Sequence, residues 1–262
     1  MCDECAPPPF SGRPAMTRRS VLRAMAAAPL VAVAGPPKPP SARATGAASS
    51  PVGAALARYG ATLHPRGDWG SSLPAKGAMA VEPDVRALLV HHTVTPNTYA
   101  ADRVPAMLGS MYAFHTGKEK AWADVAYSFF VDRFGGIWEG RTGSATAAVE
   151  GSATGGNQGS TRLCSLVGDF TTVVPPTAMV DSLSRLLAAL ADIHSIDTAP
   201  TATATFVSRG SNRWKKGATI QIPTITGHRR TSMTTCPGDG AYALIAQGSL
   251  ARKVSALRAS AH

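Results

Sequence analysis

Between residues 227 and 238 the chain reads Gly-His-Arg-Arg-Thr-Ser-Met-Thr-Thr-Cys-Pro-Gly. This sets the imidazole of His228 and the thiol of Cys236 in one polar, threonine-rich loop. Pro237 and Gly238 close the loop before an alanine- and leucine-rich stretch. Imidazole nitrogen and thiolate sulfur are donors that suit Zn²⁺. Two donors do not make a site, so a third must come from elsewhere. The best source is Ala87-Leu88-Leu89-Val90-His91-His92-Thr93, an apolar run ending in two histidines. Adjacent side chains on a strand point to opposite faces, so only one of His91 and His92 should face a metal. Three protein donors with an open fourth position are the pattern of a catalytic zinc, and four that of a structural one. No convincing fourth donor is found.

These residues need a frame, and the chain supplies alternating strand and helix patterns. Residues 85–93 read as a buried strand that opens into a Thr-Pro-Asn turn. Residues 102–115 carry apolar side chains close to helical spacing. Residues 126–131 and 136–139 flank Asp132-Arg133-Phe134-Gly135 as a hairpin, with Tyr127, Phe129 and Val131 expected on one face. Residues 141–161, rich in Gly, Ser and Ala, read as a long surface loop, and 161–170 as another strand. After Pro175-Pro176 comes the clearest helix, 177–194, with Met179, Leu183, Leu186, Leu187, Leu190 and Ile193 as its stripe. Residues 198–226 read as a basic loop or hairpin, and a last helix runs from about Gly240 to Leu257. Strands and helices mixed over this length imply one α/β or α+β domain with a central sheet covered by helices.

The 262 residues are 44% hydrophobic and 16% charged, which suits one globular domain with appendages and excludes a disordered chain. Residues 1–44 resemble a twin-arginine export signal: Arg18-Arg19, an apolar run from Ala24 to Ala34, then the cleavage pattern Ala42-Arg43-Ala44. The apolar run is about half of the ~20 residues that span a bilayer, so no stable membrane anchor is expected. Residues 45–60 read as a linker, with a short helix at Gly53–Tyr59, and 61–262 as the domain. The formal net charge is +10, of which residues 45–262 carry 20 − 14 = +6. A basic excess fits an anionic polymer such as a cell wall, or nucleic acid. Nucleic acid is disfavoured because no basic helix or basic strand with interleaved aromatics is present. Cys2 and Cys5 stand alone as a pair, with no second pair to complete a metal site. Cys164 and Cys236 could form a disulfide, or Cys236 could be a ligand and Cys164 a small buried hydrophobe. In His64-Pro65-Arg66-Gly67-Asp68-Trp69-Gly70, Arg66 and Trp69 could line a sugar or peptide groove. On composition alone, a turn whose Trp caps the core is the stronger reading.

Strand-His91-His92-Thr93 early and Gly227-His228-Arg229…Cys236-Pro237-Gly238 late resemble the zinc amidases, a family that includes peptidoglycan recognition proteins and phage-type N-acetylmuramoyl-L-alanine amidases. The resemblance covers most of residues 64–250, through Arg66-x-x-Trp69-Gly70, Trp122-x-Asp124-Val125-Ala126-Tyr127-x-Phe129, Asp132-Arg133-Phe134-Gly135 and Glu139-Gly140-Arg141. It implies a mixed β-sheet with helices on both faces and one Zn²⁺ held by His91, His228 and Cys236. It further implies Tyr127 and Thr234 as catalytic residues, and Arg66, Trp69, Trp122 and Arg141 as substrate-binding. The implied reaction is hydrolysis of the amide between N-acetylmuramic acid and L-alanine of the stem peptide, by a water that the zinc activates. Peptidoglycan or muropeptides are then the partners of an exported, secreted or wall-associated monomer. The alternative is peptidoglycan recognition without hydrolysis, as in members that lack the ligand cysteine; Cys236 favours the enzyme. The chain departs from the family at Arg230, often Asp, and at Ala153, often His. A metallopeptidase of another type would need His-Glu-x-x-His, and no such string occurs.

Overall fold

The computed structural model describes residues 50–261. The export signal, the Cys2–Cys5 pair and residues 45–49 of the expected linker lie outside the described residues.

The frame is a six-stranded sheet in the order β1-β4-β3-β5-β2-β8. Its strands are β1 (Leu63–His64), β2 (Ala87–His92), β3 (Phe129–Val131), β4 (Ile137–Glu139), β5 (Thr161–Leu166) and β8 (Ile225–Gly227). Only β3 and β4 run antiparallel; every other neighbouring pair is parallel. β2 sits between β5 and β8 and is buried along its whole length, which is why it reads as a nearly continuous apolar run.

Strand alternation splits the core in two. Leu88 and Val90 of β2 join Phe129, Val131, Cys164, Leu166 and Ile225 on one face. Against that face pack α1 (Pro51–Arg58), α4 (Thr177–Ile193), α5 (Asp239–Ala246) and α6 (Ser249–Ala261). Ala87 and Leu89 join Phe130 and Leu163 on the other face, under α3 (Val104–His115). A separate antiparallel pair, β6 (Thr203–Val207) with β7 (Thr219–Pro223), also covers this second face through Phe206, Ile220 and Ile222. The short α2 (Gly67–Gly70) completes the inventory of helices among the described residues. The chain is therefore an α/β domain with a central mixed sheet flanked by helices, and 198–226 resolves into a hairpin. Among the described residues, no helix is long and apolar enough to cross a membrane.

Five expectations need correction. Residues 51–58 are no linker: Ser50 caps α1 by accepting from the Gly53 amide, and Val52, Ala55 and Leu56 are buried against α4. Burying the Leu56 side chain alone stabilises the fold by ~1.5–3 kcal/mol, so α1 belongs to the domain. Residues 141–161 are no surface loop, since Arg141, Ser144, Ala145, Val149, Ala153, Thr154 and Asn157 are all buried. The fully buried Arg162 makes this possible by donating to the carbonyls of Ser144, Ala147 and Val149. Ile193 ends the stripe of α4 exposed rather than buried. The last helix is two, broken where Gly248 takes φ = 68°. Finally, Tyr127 does not share a face with Phe129 and Val131: it packs with Phe130 on the opposite side, because β3 begins only at Phe129.

Candidate metal centre

The parallel register brings the ligands together. Val90 of β2 pairs with Gly227 of β8, so the residues that follow, His91 and His228, are neighbours across two adjacent strand ends. Their ring centroids lie 4.5 Å apart. His91 follows Ala87 and Leu89 in alternation and so belongs to the face under α3. After His228 the chain makes a 3-10 turn and returns at Cys236. The Arg229 amide donates to the Cys236 carbonyl at 3.1 Å, and its guanidinium donates to the carbonyl of Thr235. Gly238 then turns the chain with φ = 86°; a β-carbon there would stand 2.2 Å from the Phe170 carbonyl oxygen. Only glycine fits so close an approach.

The ligand atoms of His91, His228 and Cys236 all lie within 4.8 Å of one another, and the three residues are fully buried. Cys236 Sγ is 3.7 Å from His91 Nδ1. Tetrahedral bonds of ~2.0–2.1 Å to nitrogen and ~2.3 Å to sulfur separate the ligand atoms of such a set by roughly 3.3–3.6 Å. Two imidazoles and a thiol gathered this closely suit a zinc ion, which His91, His228 and Cys236 would hold. His92 points to the other face, where its Nδ1 accepts from the Phe170 amide at 3.2 Å. Cys164 and Cys236 are not joined in a disulfide, which removes that alternative. Burial pushes the Cys164 thiol up to about 12, so it stays an inert core residue.

Tyr127 is fully buried beside the cluster, its ring 5.2 Å from that of His91. On its other side stands His115, 5.6 Å from Tyr127 and 5.0 Å from Trp122. His115 is the last residue of α3, and its Nδ1 accepts from the Ala126 amide. Four rings thus run from the buried His91 through Tyr127 and His115 to the half-buried Trp122. Thr234 is half-buried, and its Oγ1 accepts from the Cys236 amide at 3.2 Å, which shapes the turn into the ligand. Ala153 is fully buried on the same side of the sheet.

Arg66, Trp69 and Arg141 are not free to line a groove. Arg66 is buried and pairs with the fully buried Asp124 at 3.0 Å. It also donates to the carbonyls of Gly140 and Leu73, and lies 3.8 Å over the Trp69 ring. Burial lowers its pKa, against the pull of Asp124. Trp69 gives its indole N–H to the Glu139 carbonyl at 2.8 Å. Arg141 donates to the Val125 carbonyl and to Ser152 Oγ, each at 2.9 Å. All three brace the segment from Asp124 to Arg141 that carries Tyr127, because a buried carboxylate at Asp124 requires a cation and every donor it can recruit. Removing one partner of such a pair costs ~3–5 kcal/mol. Arg66→Met is therefore expected to lower the unfolding free energy measured by denaturant titration by that scale; an unchanged value would return Arg66 to the groove.

Two residues of the site lack a sequence signal of their own. His115 reads only as the last residue of a helical stretch. Ser165 stands in register with His91 on the neighbouring strand, as a fully buried hydroxyl in an apolar run. The run Thr-Arg-Leu-Cys-Ser-Leu does hint at it, since a buried strand has little use for polar residues.

The profile of the N-acetylmuramoyl-L-alanine amidase family matches residues 81–239. That span includes all three candidate ligands. The chain is similar to the human N-acetylmuramoyl-L-alanine amidase, 27% identical over 190 residues that make up 70% of this chain and 27% of the human protein. It is 29% identical to Drosophila melanogaster peptidoglycan-recognition protein LB over 71% of this chain and 68% of that protein. The solved structure of the same fly protein superposes with a TM-score of 0.54 at 25% identity, covering 70% of this chain and 92% of that one. An endolysin N-acetylmuramoyl-L-alanine amidase from Clostridium intestinale shares the fold at 15% identity, with a TM-score of 0.52 over 74% of this chain and 95% of that one.

Proposed function

Because this chain belongs to the N-acetylmuramoyl-L-alanine amidase family, we propose that it hydrolyses the amide between N-acetylmuramic acid and L-alanine of peptidoglycan or muropeptides with one Zn²⁺. The observation that carries this reading is the buried His91, His228 and Cys236 set, whose ligand atoms lie within 4.8 Å. When bound, zinc supplies Lewis-acid polarisation of a carbonyl and activation of a water. The chain's own residues do the rest. On this reading Tyr127, whose ring packs against that of His91, gives its hydroxyl proton to the oxygen on which charge develops, or orients the attacking water. Thr234 already accepts from the Cys236 amide, so its hydroxyl proton remains to be donated to the same oxygen. Trp122, at the outer end of the row of rings, offers a flat face for sugar or peptide.

Recognition without hydrolysis is the second reading, since relatives include proteins named for recognition. Cys236 weighs against it, because the donor set is complete. Mass spectrometry of peptidoglycan fragments after incubation reads the cut bond directly. Fragments split between muramic acid and alanine support the amidase; intact fragments retained by the protein support the recognition reading.

We further propose a site of action outside the cytoplasm, because Arg18-Arg19 and Ala42-Arg43-Ala44 fit an export signal. The paired arginines suit a route for folded cargo, which allows metal to be inserted before export. Replacing both Arg18 and Arg19 by Lys is expected to leave uncleaved precursor inside the cell on an immunoblot. Secretion at the wild-type level sinks this assignment.

A further inference from the structure

The whole basic excess of the folded part falls in one segment. Residues 198–238 contain Arg209, Arg213, Lys215, Lys216, Arg229 and Arg230 and no Asp or Glu. Arg209 is neutralised by Glu82 and Glu150, and Arg229 by Asp239. Arg213, Lys215, Lys216 and Arg230 are exposed, and none has an ion pair among the described residues.

This charge is not on a loose loop. The β6–β7 connection is fastened to the loop that bears His228 and Cys236. Ser211 Oγ donates to the Thr231 carbonyl at 2.8 Å, and the Trp214 indole donates to the Arg230 carbonyl at 3.0 Å. Asn212 holds Met233 from both sides, accepting from its amide at 2.7 Å and donating to its carbonyl at 3.4 Å. The backbone that bears the four cations is thereby held along the flank of the loop with His228 and Cys236, two residues from His228 at the nearest. Like charges held together without a carboxylate repel one another, so the arrangement favours an anionic partner. Arg213 adds a planar fork that suits a carboxylate.

We propose that this hairpin tip, Arg213, Lys215 and Lys216 together with Arg230, binds a free carboxylate of the stem peptide beyond the scissile amide. The proposal rests on the amidase or recognition reading above. It selects peptides with unmodified carboxylates over those in which the carboxylate is a carboxamide. A peptide whose first residue sits at the metal must run outward along one flank of the site, and this flank carries four cations in a segment without a carboxylate.

The test compares two soluble muropeptides that differ only in that group, free acid and carboxamide, against wild type and the triple variant Arg213→Gln, Lys215→Gln, Lys216→Gln. These exposed positions make no ion pair among the described residues, so the fold and the zinc content should be retained. KM is read from initial rates, or Kd by calorimetry if the protein binds without cutting. The wild type should prefer the free acid by about tenfold at low salt, the sum of three modest exposed charge contacts. Raising the ionic strength towards 0.5 M should shrink that preference, as the Debye length falls below the ~8 Å of physiological salt. The triple variant should lose the preference and treat both ligands alike. A variant that keeps the full preference overturns the proposal. So does a variant that handles both muropeptides as wild type yet loses retention on intact walls, because the patch then reads a wall phosphate polymer. A wild type that neither binds nor cuts either muropeptide removes the functional reading and this inference together.

Discussion

Cys236→Ala is expected to abolish zinc binding and hydrolysis together while leaving the fold intact. The sulfur is one of the three candidate donors, and Cys236 Sγ stands 3.7 Å from His91 Nδ1 in a fully buried cluster. Even changes to groups that only orient a ligand cost ~10–100-fold in metal affinity, so deletion of a ligand itself should exceed that range. Alanine keeps the backbone bonds that set the turn, namely the Cys236 amide to Thr234 Oγ1 and the Arg229 amide to the Cys236 carbonyl. The comparison variant is His92→Ala. It removes the acceptor for the Phe170 amide, a buried donor whose loss of partner costs ~1–3 kcal/mol. This second variant should be less stable yet hold one zinc per chain. Elemental analysis after dialysis, beside a thermal melt, separates the two. Zinc retained by Cys236→Ala at wild-type stoichiometry would mean that the ligand set is wrong.

Much of this centre is legible in the sequence, for definite reasons. His91 stands out because an apolar strand ends on it, and alternation excludes His92 as its partner on the same face. The pairing of His91 with His228 depends on β2 and β8 lying side by side in parallel, with Val90 opposite Gly227. No local pattern encodes that register. Arg66, Trp69 and Arg141 were open to misreading because an Arg beside a Trp serves a groove and a buried brace equally well. What decides between them is the burial of Asp124, a long-range fact. The same holds for residues 141–161, where short side chains suit a solvated loop or a tightly packed one. Arg162 settles the matter from another strand, by satisfying three carbonyls that would otherwise be buried alone. The face of Tyr127 was hidden by one residue of irregular backbone, since Ser128 separates it from the start of β3.

That displaced face is what makes Tyr127→Phe informative. Had Tyr127 alternated with Phe129 and Val131, its ring would lie in the core under α4, far from the ligands. Instead it packs on the metal side, with ring centroids 5.2 Å from His91 and 5.6 Å from both His115 and Phe130. The two roles open to it, packing and proton donation, depend on different atoms. Packing is carried by the ring, which phenylalanine keeps in an edge-on arrangement with Phe130. Donation to a developing oxyanion is carried by the hydroxyl alone, and loss of one such donor costs ~10²–10³ in turnover. The variant is therefore expected to bind one zinc and melt close to wild type, while kcat on a soluble muropeptide falls by ~10²–10³. If kcat were unchanged at unchanged stability, Tyr127 would be a packing residue, and the work of stabilising the oxyanion would fall to Thr234, which caps the Cys236 amide. If instead the fall appeared in KM with kcat intact, the hydroxyl would bind ground state and transition state alike. That outcome would make Tyr127 part of the groove that Trp122 opens, and it would move the search for the proton donor to the loop ending at Cys236.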